Sequence, residues 1–373
     1  MMGGLLWQRA FCYRALVVVV ALLYFVRIHD AHNDAAPAAP CPTDRGVTVQ
    51  AAYRPGLVTL DADSKDWADV NGEQFELLPA TNPDPSAKYP MDSGSIQIKA
   101  VHDGRDIFFN LEFPGDYFFK DGVPENCPSV ALMFGVGDDA TYDDMGGCKQ
   151  NPADCSAESC HGFDVDIMHF TISTAIPGRL YGANLLDNVN GTGADRFGSL
   201  VDMYAWSPHC HYLDGAGPNA VEGSGAQNDW QGAWTHTSIE LDYGLVKSDS
   251  PFSTDGQSGF YIFEFSRPLR TNDRLQQDVQ FTIGGTFRLA AAVWYPVSGK
   301  AWSPFEHYSA NCEWIPLKIS VASGSIMTSS KVEDILSIVS IFVALAALGI
   351  TLVLGWWVKT HSPRVGFQEV PNL

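Results

Sequence analysis

The sequence predicts an all-β body, a β-sandwich with long loops, followed by one C-terminal transmembrane helix. Three observations predict it. Short apolar runs recur from Val47 to Val321, several alternating with period two and most bounded by Gly, Pro, Asp or Asn. No amphipathic helical pattern longer than three turns interrupts them. Ile335–Val358 is a run of 24 residues without a charge, long enough to cross a bilayer with some tilt.

The elements follow in chain order. Residues 1–30 place Arg9 and Arg14 before the twelve uncharged residues Ala15–Val26. That run is short for a span and reads as a signal peptide, with a signal anchor as the alternative. Residues 31–46 are an Ala/Pro spacer. The body, residues 47–321, has no linker-like break and reads as one domain. Its expected strands are Val47–Ala52, Leu57–Leu60, Ile96–Ala100, Ile107–Phe113, Val130–Phe134, Phe163–Ile172, Phe260–Ser266, Val279–Ile283, Phe287–Trp294 and Trp314–Val321. The turn His102-Asp103-Gly104 joins two of them into a hairpin. Trp67 stands out as a buried residue within an acidic turn.

Residues 322–334 are juxtamembrane, 335–358 the span and 359–373 a short tail. Lys359, His361 and Arg364 follow the span, while Glu333 and Asp334 precede it. The positive-inside rule therefore predicts a single-pass type I protein with a cytosolic tail, its body extracellular or lumenal. Trp356 and Trp357 fall at the inner interface. Membrane lipid is thus an expected partner.

Charge excludes another class. With 23 basic and 43 acidic residues the formal charge is −20, which repels nucleic acid. Charged residues at 18% and aromatics at 12% suit a packed core rather than disorder. Cys127, Cys148, Cys155, Cys160, Cys210 and Cys312 are disulfide candidates in an oxidising compartment, alongside Cys41, with pairing open. Asn190-Gly191-Thr192 is a glycosylation sequon.

Catalytic signatures are missing: there is no G-x-S-x-G, H-E-x-x-H, phosphate loop or dinucleotide fingerprint. On its own the chain does not read as an enzyme. The pairs Asp138/Asp139, Asp143/Asp144 and Asp164/Asp166 read as solvated loops or weak calcium sites before they read as an acid/base couple. His209-Cys210-His211 has a metal-compatible spacing, but no further ligands stand nearby. Cys155-x4-Cys160-His161 is a stretched relative of the haem c attachment motif, and disulfide formation is the stronger reading of those thiols. Met145 sits in an acidic, glycine-rich loop, Asp143–Cys148, with no evident core to fill. It is either a flap over the sandwich edge or a thioether ligand to iron, since Gly146 and Gly147 would let the backbone approach a planar macrocycle.

The segment Gly259–Leu269, then Thr271–Asp273, Phe287–Trp294, His307–Ser309 and Trp314–Ile319 resembles the haem-binding domain of ethylbenzene dehydrogenase gamma subunits and dimethyl sulfide dehydrogenase-type cytochromes. That family is related in fold to cytochrome DOMON domains and family 9 carbohydrate-binding modules. Val58–Val70, Ile96–Phe113, Val130–Val136, the Met-Gly-Gly-Cys loop and Cys160-His161 follow in the family's order. The resemblance covers the whole body. It implies a sandwich holding one haem b, its iron bound by a methionine, Met145 by position, and by a second basic side chain. His307 and Lys300 both fall in the window for that second ligand, with His307 preferred. Such a domain would transfer electrons to or from a redox partner protein that the sequence does not identify. Haem c at Cys155, Cys160 and His161 is an alternative cofactor. A haem-free carbohydrate- or ligand-binding module of the same fold is the alternative function. Two features depart from the family pattern, a membrane span of the chain's own and extra loop between Tyr181 and Trp234.

Overall fold

The computed structural model describes residues 46–79, 94–149, 156, 158–182, 199–215, 217, 229–242, 245–273, 275–296, 298–302 and 307–321, with 349–351, 353–354, 356–357 and 360 near the C-terminus. The strands among the described residues are β1 (Val49–Tyr53), β2 (Glu73–Pro79), β3 (Ser95–His102), β4 (Asp106–Asp116), β5 (Ser129–Gly135), β6 (Val165–Thr171), β7 (Tyr181–Gly182), β8 (Ser199–Ser207), β9 (Cys210–Leu213), β10 (Gln231–His236), β11 (Leu241–Asp242), β12 (Leu245–Val246), β13 (Ser258–Pro268), β14 (Thr286–Trp294), β15 (Tyr308–Ala310) and β16 (Ile315–Ile319). Short 3₁₀ turns at Ser64–Trp67 and Pro124–Asn126 are the only helical elements described in the body.

Hydrogen bonding orders the main sheet β7-β10-β13-β4-β3-β1-β16-β14-β5-β6-β8-β9. The sheet folds over on itself. Strands β10, β13, β4 and β3 form one layer and β14, β5, β6 and β8 the other. The layers are joined by the parallel pair β1/β16 and by the antiparallel pair β2/β15. Alternation turns one face of each layer inward. Phe109 of β4 meets Phe134 of β5 at 5.8 Å between ring centroids. Phe170 of β6 meets Phe263 and Phe265 of β13 at 5.8 and 6.2 Å. These rings, with Leu111, Leu132, Leu289 and Val293, are the centre of the core.

The predicted hairpin is present. β3 and β4 pair antiparallel through the His102 turn, and Asp103 Oδ1 accepts from the Arg105 and Asp106 amides at 2.8 and 2.7 Å. Two predicted strands are absent. Leu57–Leu60 is irregular because side-chain carboxylates claim amides in and just after it: Thr59 N–H goes to Asp66 and Asp61 N–H to Glu264. Val279 and Phe281 are buried as an inward strand would bury them. The Val279 amide, however, donates to Asp166 Oδ2 at 2.9 Å and Phe281 to the Leu269 carbonyl, so no ladder forms.

Residues 320–373 separate from the body as a second unit. The described residues between 349 and 360 are helical, with Ile350, Val353, Leu354, Trp356 and Trp357 exposed. No helix among the described residues is long and apolar enough to cross a membrane. Most of Ile335–Val358 lies outside them, as do residues 1–45, Cys155 and the Asn190 sequon.

Candidate functional site

The outward face of the β14-β5-β6-β8 layer carries an apolar surface of unusual composition. Across the strands the register sets Ala292 beside Ala131, Ala131 beside His169, and His169 beside Val201. The next row is Ala290, Met133, Ile167 and Met203. Small alanines thus form a floor among methionines. Ala131, Ala140, Val165, Ile167 and Ala205 cluster there, and Met133, Met145, Met203, Ala292, Trp294 and Trp314 pack against them.

Met145 reaches this face from the loop that leaves the Gly135 end of β5. Thr141 and Gly146 exchange backbone hydrogen bonds of 3.1 Å each, closing a tight loop around it. Met145 itself is half-buried with φ +44°, a left-handed conformation costly for a side chain that long. The surroundings enforce it. Tyr142 donates its hydroxyl to the Asn311 carbonyl at 2.8 Å and meets Trp314 edge-on. Trp314 lies under the Arg288 guanidinium, which binds the Gly137, Asp138 and Ala140 carbonyls. The Cys148 amide donates to Trp206 at 2.8 Å, and a Cys148–Cys160 disulfide ties the loop to the approach to β6. The glycines serve the loop rather than approach by a macrocycle. Gly146 is buried, and a Cβ there would strike the Phe163 carbonyl and lie 2.7 Å from Trp206 backbone; one on Gly147 would strike Thr141.

His307 approaches near the other end of β5. It precedes β15, whose Tyr308 pairs with Val293 of β14. Its ring lies tilted against Trp294, 4.8 Å between centroids, and its Nδ1 is buried without a hydrogen-bond partner. His169, which sequence reasoning passed over, sits beside it. Its ring is also 4.8 Å from Trp294, and its Nε2 is 2.5 Å from Ser129 Oγ. Burial lowers His307 to about 4, and burial together with the His307 charge lowers His169 to about 4. Both imidazoles are therefore neutral at pH 7, the form that offers a lone pair to a metal. Trp302, donating from Nε1 to the Cys127 carbonyl at 2.7 Å, also packs against Trp294, 6.1 Å between ring centroids. The one legible sequence signal for the floor was the Ala290-Ala291-Ala292 run.

Lys300 stands apart, exposed in a turn with Ser298 and Gly299 at positive φ. His209 and His211 are exposed, and Cys210 between them is buried and disulfide-bonded; Cys312, half-buried, is disulfide-bonded too. Cys127 departs from the disulfide expectation: it is a free, fully buried thiol. Its sulfur accepts from the Lys120 amide at 3.2 Å and donates to the Lys120 carbonyl, and burial pushes its pKa up to about 12. Because Cys160 is bonded to Cys148, it lacks the thiol that a thioether link to haem c requires. His161 is exposed. A separate cleft of about 500 Å³, between Phe119, Arg179, Lys247 and Phe252, contains none of the predicted site residues.

The donor set on the outward face, a thioether and a neutral imidazole on an apolar floor, suits iron in a flat apolar group. A family model described as "Ethylbenzene dehydrogenase" matches residues 64–309, more than half of the chain and inclusive of both Met145 and His307. Among solved structures, a family 9 carbohydrate-binding module from Caldicellulosiruptor kristjanssonii in complex with glucose is similar at 10% identity and TM-score 0.35, covering 74% of this chain and 97% of that one. A putative carbohydrate-binding protein from Bacteroides uniformis is similar at 10% identity and TM-score 0.36, covering 73% and 98%. Likenesses this weak carry nothing about function. No curated protein matches the chain.

Proposed function

This chain belongs to the ethylbenzene dehydrogenase family, and we propose that it is a membrane-anchored electron-transfer protein holding one b-type haem between Met145 and His307. The observation that carries the reading is the buried, unpartnered Nδ1 of His307, packed against Trp294 beside the alanine floor on which Met145 also packs. An unsatisfied buried nitrogen costs about 1–3 kcal/mol, and a metal bond at that nitrogen would relieve it. When bound, the haem supplies one-electron chemistry at its iron. The chain's part is to hold and shield it. Met145 offers a thioether that favours the reduced metal, and His307 a neutral nitrogen. Held by Met145 and His307 together, the iron would offer neither oxygen nor substrate ready access, which leaves electron transfer to a partner protein. Ala131, Ala290 and Ala292 leave room for a flat ring, and Trp294 holds the imidazole plane. Lys300 is the less favoured second ligand, being solvated and further along an exposed turn.

The test is an absorbance spectrum of the full chain expressed with haem. A sharp reduced alpha band and a low-spin Soret are expected, lost in Met145→Ala and in His307→Ala and kept in Lys300→Ala. Loss in Lys300→Ala alone would move the ligand to that lysine. A chromophore that survives acid-acetone extraction would exclude haem b. A colourless protein retained on a polysaccharide column would replace the reading with a binding module.

A further inference from the structure

The second face of the same strands poses a different problem. Alternation sends Ile167 and Met203 outward and Asp166 and Asp202 inward, where neither meets water: they are 0% and 3% exposed. Asp278 comes in beside them from the segment after β13, 5% exposed. One carboxylate oxygen from each of the three lies within 4.8 Å of the others, a spread that fits a common cation at calcium–oxygen distances of about 2.4 Å.

Arg267 of the opposite layer, 2% exposed, pairs with Asp166 Oδ2 and lies 3.9 Å from Asp278. It supplies one positive charge against three acids. Two more face the same region. Asp214, 3% exposed, donates its amide to the Asp202 carbonyl at 3.0 Å, and Asp229 leads into β10. The hydrogen-bond ledger is open at the same place. Asp166 Oδ1, Asp214 Oδ1 and Asp229 Oδ1 are buried with no partner, although Asp166's other oxygen takes both Arg267 and the Val279 amide. Burial together with neighbouring carboxylates raises Asp202 well above the usual carboxylate range, Asp278 to about 9 and Asp214 to about 7.

We propose that Asp166, Asp202 and Asp278, with Asp214 alongside, form a buried site for one hard divalent cation of the calcium class. The donors on it are carboxylate oxygens, with no thiol or imidazole, which selects calcium over zinc or copper. Two positive charges added to that of Arg267 balance the three core acids, and Asp166 Oδ1 gains the partner it lacks. The site is structural. It ties the β6 and β8 layer to the segment following β13, on the opposite face of that layer from Met145, and does not depend on the haem reading.

The test is calcium stoichiometry by equilibrium dialysis on the full chain stripped with a chelator, together with thermal unfolding. About one calcium per chain is expected, with a Tm rise of about 5 °C once calcium reaches about 100 times its Kd. Asp278→Asn and Asp214→Asn should weaken binding at least about tenfold, the loss of roughly 1.4 kcal/mol of ligand interaction. Asp138→Asn with Asp139→Asn, on the exposed loop, should leave it unchanged. If Asp278→Asn does not fold, Asp214→Asn and the wild-type stoichiometry decide. A wild-type chain that binds no calcium would overturn the proposal in favour of acids that keep their protons. Equal binding by the core variants, or loss in the Asp138/Asp139 variant, would overturn it in favour of a surface site.

Discussion

Glu264 shows how one buried side chain organises a distant loop. From β13 its carboxylate accepts from the Asp61 amide at 3.0 Å, the Ala62 amide at 2.6 Å and Trp67 Nε1 at 2.6 Å, which seats the acidic turn around the buried Trp67. Burial pushes Glu264 up to about 8 from an ordinary 4.5, while the three donors pull the other way. A carboxyl raised in the folded state binds more protons folded than unfolded. Its contribution to stability therefore falls as pH rises from about 4.5 to about 8. Gln has nearly the same shape but turns an N–H₂ toward those donors, at a cost of about 1–3 kcal/mol. Glu264→Gln should lower Tm at pH 5, and its gap from wild type should narrow by pH 8; a gap that widens with pH would refute the assignment. At the outward face the sign is opposite. His169 and His307 are lowered, so stability is present above about 6.5 and is lost as pH falls toward about 4.

At the scale of elements, the loop carrying Met145 is held by covalent and polar ties rather than by strand pairing. Cys148 and Cys160 are 12 residues apart, and closing a loop of that length restricts the unfolded chain by about 3 kcal/mol. Replacing both with serine should lower the unfolding free energy by about 2–4 kcal/mol in urea titration. It should also convert part of the haem-loaded protein to high spin, since Met145 loses its fixed approach. An unchanged low-spin spectrum would show that Tyr142, Arg288 and Trp314 suffice. The strands divide in a similar way. β3, β4, β13 and β14 were legible because one face is apolar and the turns are plain. β8 was not, because Asp202 points into the core and Val201, Met203 and Ala205 line a second apolar face. Val279–Phe281 misled for the converse reason: apolar and buried, it spends its amides on Asp166 and Leu269.

At the scale of the molecule, the sandwich presents two faces of one set of strands to two kinds of chemistry. Outward residues of β5, β6, β8 and β14 form the apolar face under Met145 and His307, while inward Asp166 and Asp202 meet Arg267 from the other layer. The anchor proposed for residues 335–358 belongs to this scale as well. The full chain should stay with membranes through alkaline carbonate extraction, and a chain ending at Val321 should be released. Retention of the shorter chain would place the attachment elsewhere.

The sequence by itself determined the all-β class, the hairpin at His102 and the family, because alternation, turn chemistry and motif order are local properties. It also marked Cys127, Cys148, Cys155, Cys160, Cys210 and Cys312 as disulfide candidates without saying how they pair. Tertiary structure decided what depends on distance in space. It left Cys127 a buried thiol and Lys300 in solvent, put His169 and Trp294 beside His307, and gathered Asp166, Asp202 and Asp278 from three separate segments. None of these follows from spacing, because each joins side chains far apart along the chain, and only the closing of two layers fixes which of them meet and which of them lose water.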